Sequence, residues 1–164
     1  MHQKLKDLYA RGAVIGGTSA GAAIMSQVMI TGEELLNDDK ANAFKFIKKG
    51  NIETAVGLGF LTNAIIDQHF IKRKRLNRLF SVVLEHPQLL GIGIDESTAI
   101  IVNPDEMFEV LGESAVMVID PRSATRIRAD HSGNLSARDI KTHLLMAGDR
   151  FDMRTGSRTV PSGN

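Results

Sequence analysis

The chain has 164 residues, of which 43% are hydrophobic and 24% charged, ordinary usage for one domain with a buried core. This composition excludes a wholly disordered chain, and a formal net charge of +1 offers no bulk field to nucleic acid or to an acidic membrane, so neither partner is expected. Zero cysteines exclude disulfides, thiolate metal sites and a cysteine nucleophile.

The opening Met1-His2-Gln3-Lys4-Leu5-Lys6-Asp7 lacks the apolar stretch of a secretory signal, and no apolar run approaches the roughly 18 residues of a membrane span. A cytoplasmic location is the default. Leu5, Leu8 and Tyr9 recur at helical spacing and predict a helix over residues 2–11, stopped at Gly12. Ala13-Val14-Ile15 predicts a short buried strand running into the Gly16-Gly17 turn, and Ala20 to Val28 a helix packed on a sheet. Residues 31–54 read as a surface excursion with a polar patch (Glu33, Glu34, Asp38, Asp39, Lys40) and a short helix anchored by Phe44, Phe46 and Ile47.

A loop over 57–61 and a strand over 64–67 come next. Leu76, Leu79, Phe80 and Val83 at i, i+3, i+4 and i+7 then predict a helix that His86-Pro87 ends. From Leu89 the pattern turns to short β-rich runs: 90–94, 99–102, 107–111, 115–119 and a last one within 140–146. Residues 153–164 predict a frayed tail. The whole reads as a single α/β domain over 1–164 with a β-rich second half.

Gly17-Thr18-Ser19-Ala20-Gly21 is a Gly-x-Ser-x-Gly sequence set between a predicted strand and a predicted helix. At such an elbow small neighbours let the backbone turn sharply and hold the serine hydroxyl out, while the Ala20 amide faces a developing oxyanion. The competing reading is a glycine turn that packs a helix or cradles a phosphate. Of the five histidines, His2 is terminal, His86 abuts a proline, His131 sits in a polar turn and His143 lies within a strand. His69 alone follows an apolar strand, where open α/β sheets place their chemistry. Asp95 and Glu96 follow another strand, and adjacent carboxylates point apart, so only one of them faces a histidine. Lys72-Arg73-Lys74-Arg75 with Arg78 puts five cations in seven residues, either a solvated face or a rim that grips a substrate carboxylate.

Gly16-Gly17-Thr18-Ser19-Ala20-Gly21-Ala22, then Asp67-Gln68-His69-Phe70 with Arg73, Arg75 and Arg78, then Gly93-Ile94-Asp95-Glu96-Ser97-Thr98-Ala99 resemble the serine peptidase family S51, which holds the cyanophycinases and the aspartyl dipeptidases. The likeness runs from about Ala13 to Asp152. It implies a class I glutamine amidotransferase-like (flavodoxin-like) sandwich with a serine in place of the amidotransferase cysteine. It further implies Ser19 as nucleophile, His69 as general base and acid, Glu96 as orienting carboxylate, and Asp67, Gln68, Arg73, Arg75 and Arg78 as substrate-pocket residues. The implied reaction is hydrolysis of cyanophycin to β-Asp-Arg dipeptides through an acyl-enzyme, without cofactor or metal, by a homodimer. An aspartyl dipeptidase, or a carboxylate-binding remnant without catalysis, is the alternative. Members carry several strands and helices before the elbow, including the loop that gives the second oxyanion amide. The resemblance therefore implies an N-terminally truncated member, either a fragment or a truncated product; for the truncated product it implies impaired activity, since one oxyanion donor is worth on the order of 10²–10³ in rate.

Overall fold

The computed structural model describes residues 2–37 and 43–159. Asp38, Asp39 and Lys40 of the polar patch and residues 160–164 of the tail lie outside the described residues. In chain order the elements are α1 (His2–Ala10), α2 (Ala20–Ala23), β1 (Val28–Glu34), β2 (Ile52–Val56), β3 (Ala64–Gln68), α3 (Leu76–Glu85), β4 (Leu90–Ile94), β5 (Thr98–Val102), β6 (Met107–Gly112), β7 (Val116–Asp120), β8 (Thr125–Ala129), β9 (Leu135–Arg138), β10 (Lys141–Leu145), β11 (Arg150–Asp152) and β12 (Ser157–Thr159). The result is a mixed α/β arrangement, with several sheets and few helices.

Why these residues make this architecture is clearest at its centre, a four-stranded sheet in the order β10-β7-β4-β3. β3 and β4 run parallel and are joined by α3, while the β4–β7 and β7–β10 pairs are antiparallel. A parallel pair with both faces covered reads as an almost unbroken apolar run, as Ala64-Ile65-Ile66 and Leu90 to Ile94 do. Strand alternation then divides the core. Ala64, Ile66, Leu90, Ile92, Ile94, Val116 and Val118 pack with Phe108, Val110 and Phe151 of the second sheet, ordered β12-β11-β6-β5, and with Met153 just beyond β11. Ile65 and Ile119 take the opposite face, under Phe70 and the Leu79, Val82 and Val83 ridge of α3.

On that second face β4 presents only glycine. A Cβ at Gly91 would sit 2.6 Å from Val83 Cγ1, and one at Gly93 would sit 2.3 Å from Phe70 Cγ. The alternating Leu-Gly-Ile-Gly-Ile of β4 is what lets helix and ring close onto the sheet.

Four expectations are corrected. Ala13-Val14-Ile15 forms no strand, and Val14 is 96% exposed. A strand needs a ladder partner, and none is paired with this segment among the described residues; at β3, the Ile66 N–H donates to Ser26 Oγ at 2.9 Å. The helix expected to Val28 stops at Ala23, because Val28 to Thr31 is β-favouring and pairs antiparallel with β2 as a bulged hairpin. No helix forms around Phe44 to Ile47: Phe44 is half-buried with the Arg78 guanidinium 5.0 Å over its ring, while Phe46 stays 48% exposed. Part of the stretch expected to be tail is structured, since Met153 is buried and Ser157–Thr159 pairs with β11.

Candidate active site

Ser19 sits at the mouth of α2 with φ 53° and ψ −122°, a region that non-glycine residues rarely occupy and that costs on the order of 1–3 kcal/mol. The following turn holds it there: Gly21 N–H donates to Thr18 O at 2.8 Å and Ala22 N–H to Ser19 O at 2.9 Å. Of the elbow glycines Gly17 is the one sterics demand, because a Cβ there would lie 2.1 Å from Gly21 O. Ala20 is the first residue of α2, so no preceding carbonyl of the helix can accept its N–H.

β3 delivers His69 one residue past its end, also at positive φ (51°). Its ring bridges the elbow before α2 and the end of β4. Nε2 is 3.0 Å from Ser19 Oγ, and Nδ1 is 3.1 Å from Glu96 Oε1, just beyond β4. With Glu96 accepting at Nδ1–H, the tautomer leaves Nε2 free to take a proton from the hydroxyl. Asp95 points elsewhere. Its carboxylate accepts N–H bonds from Ile71 (3.1 Å) and Lys72 (2.9 Å) and the Ser114 hydroxyl (2.7 Å). Burial works against its charge, but the Lys72, Ser114, Glu96 and Ile71 donors outweigh it and hold the carboxyl below its usual range. The two acids that the sequence left open are thus placed on different neighbours.

A cavity of about 810 Å³ opens over this row, with Ser19, His69 and Glu96 in its wall. Tyr9 and Phe60 meet edge to face at 5.2 Å on its rim, and Met25, Leu61, Ile100 and Leu111 complete an apolar flank. This flank was not legible beforehand, because its members come from segments whose mutual placement only the fold supplies.

The arginine series is distributed differently from a rim. Of Asp67, Gln68, Arg73, Arg75 and Arg78, only Gln68 lines the cavity, and no Lys or Arg does so among the described residues. Asp67 and Arg78 are 1% and 2% exposed and bond each other through both guanidinium Nε (2.9 Å) and Nη2. Arg75 donates to Gln68 O at 2.6 Å and Gln68 Oε1 at 2.8 Å, and its guanidinium is pushed down to about 10, by burial first and by Arg78 second. Arg73 is exposed. The signal for this was present in the spacing, since Arg75, which caps α3, and Arg78 in its first turn are three residues apart and Asp67 is the only acid in β3. Among the described residues no group of three or more His, Asp or Glu side chains gathers as a metal ligand set.

Comparison with known proteins adds the following. The profile of Peptidase family S51 matches residues 1–110. A cyanophycinase of Trichormus variabilis is 37% identical over 142 residues, which is 85% of this chain and 45% of that protein. Cyanophycinases of Thermosynechococcus vestitus (33% over 158 residues; 94% of this chain, 47% of that protein) and Geminocystis herdmanii (35% over 147; 86% and 50%) are similar on the same scale. The chain spans about half the length of the curated relatives it matches.

Proposed function

The chain belongs to peptidase family S51, and from that footing we propose that it is a serine-type peptidase hydrolysing cyanophycin, with Ser19 as nucleophile, His69 as general base and acid, and Glu96 as the group that orients His69. The single observation behind this reading is the unbroken row Ser19 Oγ, His69 Nε2 and Nδ1, Glu96 Oε1, at 3.0 and 3.1 Å, along the wall of the large cavity. His69 takes the Ser19 proton as Oγ attacks an aspartyl carbonyl; the C–O bond forms and the carbonyl electrons collect on oxygen. The Ala20 N–H stabilises that oxyanion. His69 returns the proton to the leaving nitrogen, the C–N bond breaks, and water repeats the sequence on the acyl-enzyme. Gln68 in the cavity wall and exposed Arg73 are the proposed substrate contacts; Asp67, Arg75 and Arg78 hold that wall in place.

The finer architecture proposed for the single domain is a class I amidotransferase-like sandwich, for which the parallel β3–α3–β4 unit and the β-rich second half speak. A cytoplasmic homodimer is part of the same reading. No helix of the described residues is long and apolar enough to cross a membrane.

The test uses a fluorophosphonate probe and two substrates. Mass mapping is expected to find the probe on Ser19, and Ser19→Ala to abolish labelling. Release of β-Asp-Arg from cyanophycin, and not of aspartate from a short aspartyl dipeptide, supports the substrate assignment. The reverse preference moves the protein to the aspartyl dipeptidases, and an unlabelled wild-type chain ends the peptidase reading.

A further inference from the structure

We propose that Asp95 is a positioning residue for the His69–Glu96 pair, acting through the backbone of the turn that carries the imidazole; this rests on the peptidase reading above. Both of its oxygens are engaged. Oδ1 accepts the N–H groups of Ile71 and Lys72, two and three residues beyond His69, at 3.1 and 2.9 Å. Oδ2 accepts the Ser114 hydroxyl at 2.7 Å. Asp95 is also covalently next to Glu96, so a closed circuit results: His69, the 70–72 turn, Asp95, Glu96 and back to His69 Nδ1 at 3.1 Å. Within a circuit this small the base and its orienting carboxylate cannot drift apart unless a bond of the ring opens.

Neighbouring bonds fix the same two turns from the other side. Phe70 N–H donates to Ile94 O at 3.2 Å and Arg73 N–H to His69 O at 2.9 Å, while the Thr98 hydroxyl donates to Glu96 O at 3.0 Å and accepts from Ser114 N at 3.0 Å. Ser114 thus ties the approach to β7 to both Asp95 and Thr98. The need for such bracing is visible in the backbone, because His69 and Ser97 both hold positive φ (51° and 53°), conformations that relax unless the surroundings over-determine them. A charged acceptor serves two backbone N–H groups better than a neutral one, which accounts for an aspartate here. Nothing in the geometry brings Asp95 to the imidazole, so its part is indirect.

The experiment compares Asp95→Ala and Asp95→Asn with wild type in three readouts: rate of fluorophosphonate labelling of Ser19 across pH, the low-field His69 Nδ1–H proton resonance, and thermal unfolding. Asparagine keeps one oxygen for the two turn amides, while its NH₂ can donate to the Ser114 oxygen. The expected result is a labelling rate within a few-fold of wild type for Asp95→Asn. For Asp95→Ala the loss is expected to be on the order of a hundredfold, the scale of a 1 Å misplacement, with the Nδ1–H resonance gone while the chain remains folded. Equal losses in both variants with a displaced pH profile would overturn the proposal in favour of a direct electrostatic effect. Normal labelling by folded Asp95→Ala would overturn it in favour of a purely structural role. If wild type is not labelled yet shows an Nδ1–H resonance that Asp95→Ala removes, the peptidase reading fails and the positioning role stands; a resonance that survives Asp95→Ala sinks the positioning role on its own.

Discussion

Asp67 and Arg78 illustrate how far a single side chain's meaning depends on what it touches. Both are almost wholly buried, and each is the other's partner, beneath a helix rather than in the cavity. Asp67 also lies 3.9 Å from Arg75 Nη1, so it is removal of Asp67 that leaves the buried Arg78 charge without its carboxylate, which typically costs about 3–5 kcal/mol, whereas an apolar pair of similar volume is often tolerated. Urea unfolding is therefore expected to show Asp67→Ala destabilised by about that much and Asp67→Leu with Arg78→Met largely restored. Near-normal stability of Asp67→Ala would mean that the pair is solvated in solution. Glu96 makes the complementary case: at 41% side-chain exposure it carries little of the stability, while its Oε1 lies 3.1 Å from His69 Nδ1, the contact on which its proposed orienting role rests. Glu96→Gln is expected to unfold like wild type and to label with fluorophosphonate slower by on the order of 10³–10⁴, as when an orienting carboxylate becomes an amide that favours the wrong tautomer.

At the level of elements, what was legible followed from local periodicity. The 3.6-residue pattern of Leu76 to Val83 and the alternation of Leu90 to Ile94 are properties of a few neighbouring residues, and both elements form where the pattern places them. Ser19, His69 and Glu96 stood out as candidates for a related reason, since each stands next to a turn or strand end that the sequence punctuates. The strand misreadings share one cause, dependence on a pairing partner outside the segment itself. Ala13-Val14-Ile15 has strand composition without a ladder, and β8 and β9, whose Thr-Arg-Ile-Arg-Ala and Leu-Ser-Ala-Arg sequences look like surface, become strands by pairing with one another. Gly93 lies between these cases, because its alternation was visible but its reason, the Phe70 ring, was not. Gly93→Ala is expected to cost about 1–3 kcal/mol through overpacking and, because Phe70 directly follows His69, to slow labelling as well. Gly93→Ala with Phe70→Leu tests the cause: recovery of stability confirms the clash, and an unimproved double variant rules it out.

Across the whole molecule, carboxylates hold the C-terminal strands to the central sheet. Asp120 at the end of β7 pairs with Arg122, whose guanidinium also donates to Met153 O at 2.7 Å and Arg154 O at 3.1 Å beyond β11. Asp149 accepts from Met146 N–H and Arg158, and Asp152 pairs with Arg154. Burial opposes the charge of Asp120 and Asp149, yet their arginine and backbone donors hold both below the usual carboxylate range, and the Arg154 side chain takes Asp152 down to about 2. The sign follows from proton counting. A carboxyl whose folded pKa lies below its unfolded value of about 3.9 binds fewer protons when folded, so its contribution is complete above that value and disappears as pH falls through the folded one. Thermal unfolding is thus expected to be nearly flat from about pH 7 to 5 and to drop between about pH 4 and 2. Asp120→Asn is expected to lower the midpoint at pH 6 and to draw closer to wild type as pH falls into the acid range; curves that stay parallel throughout would show that the Asp120 charge does not couple to folding.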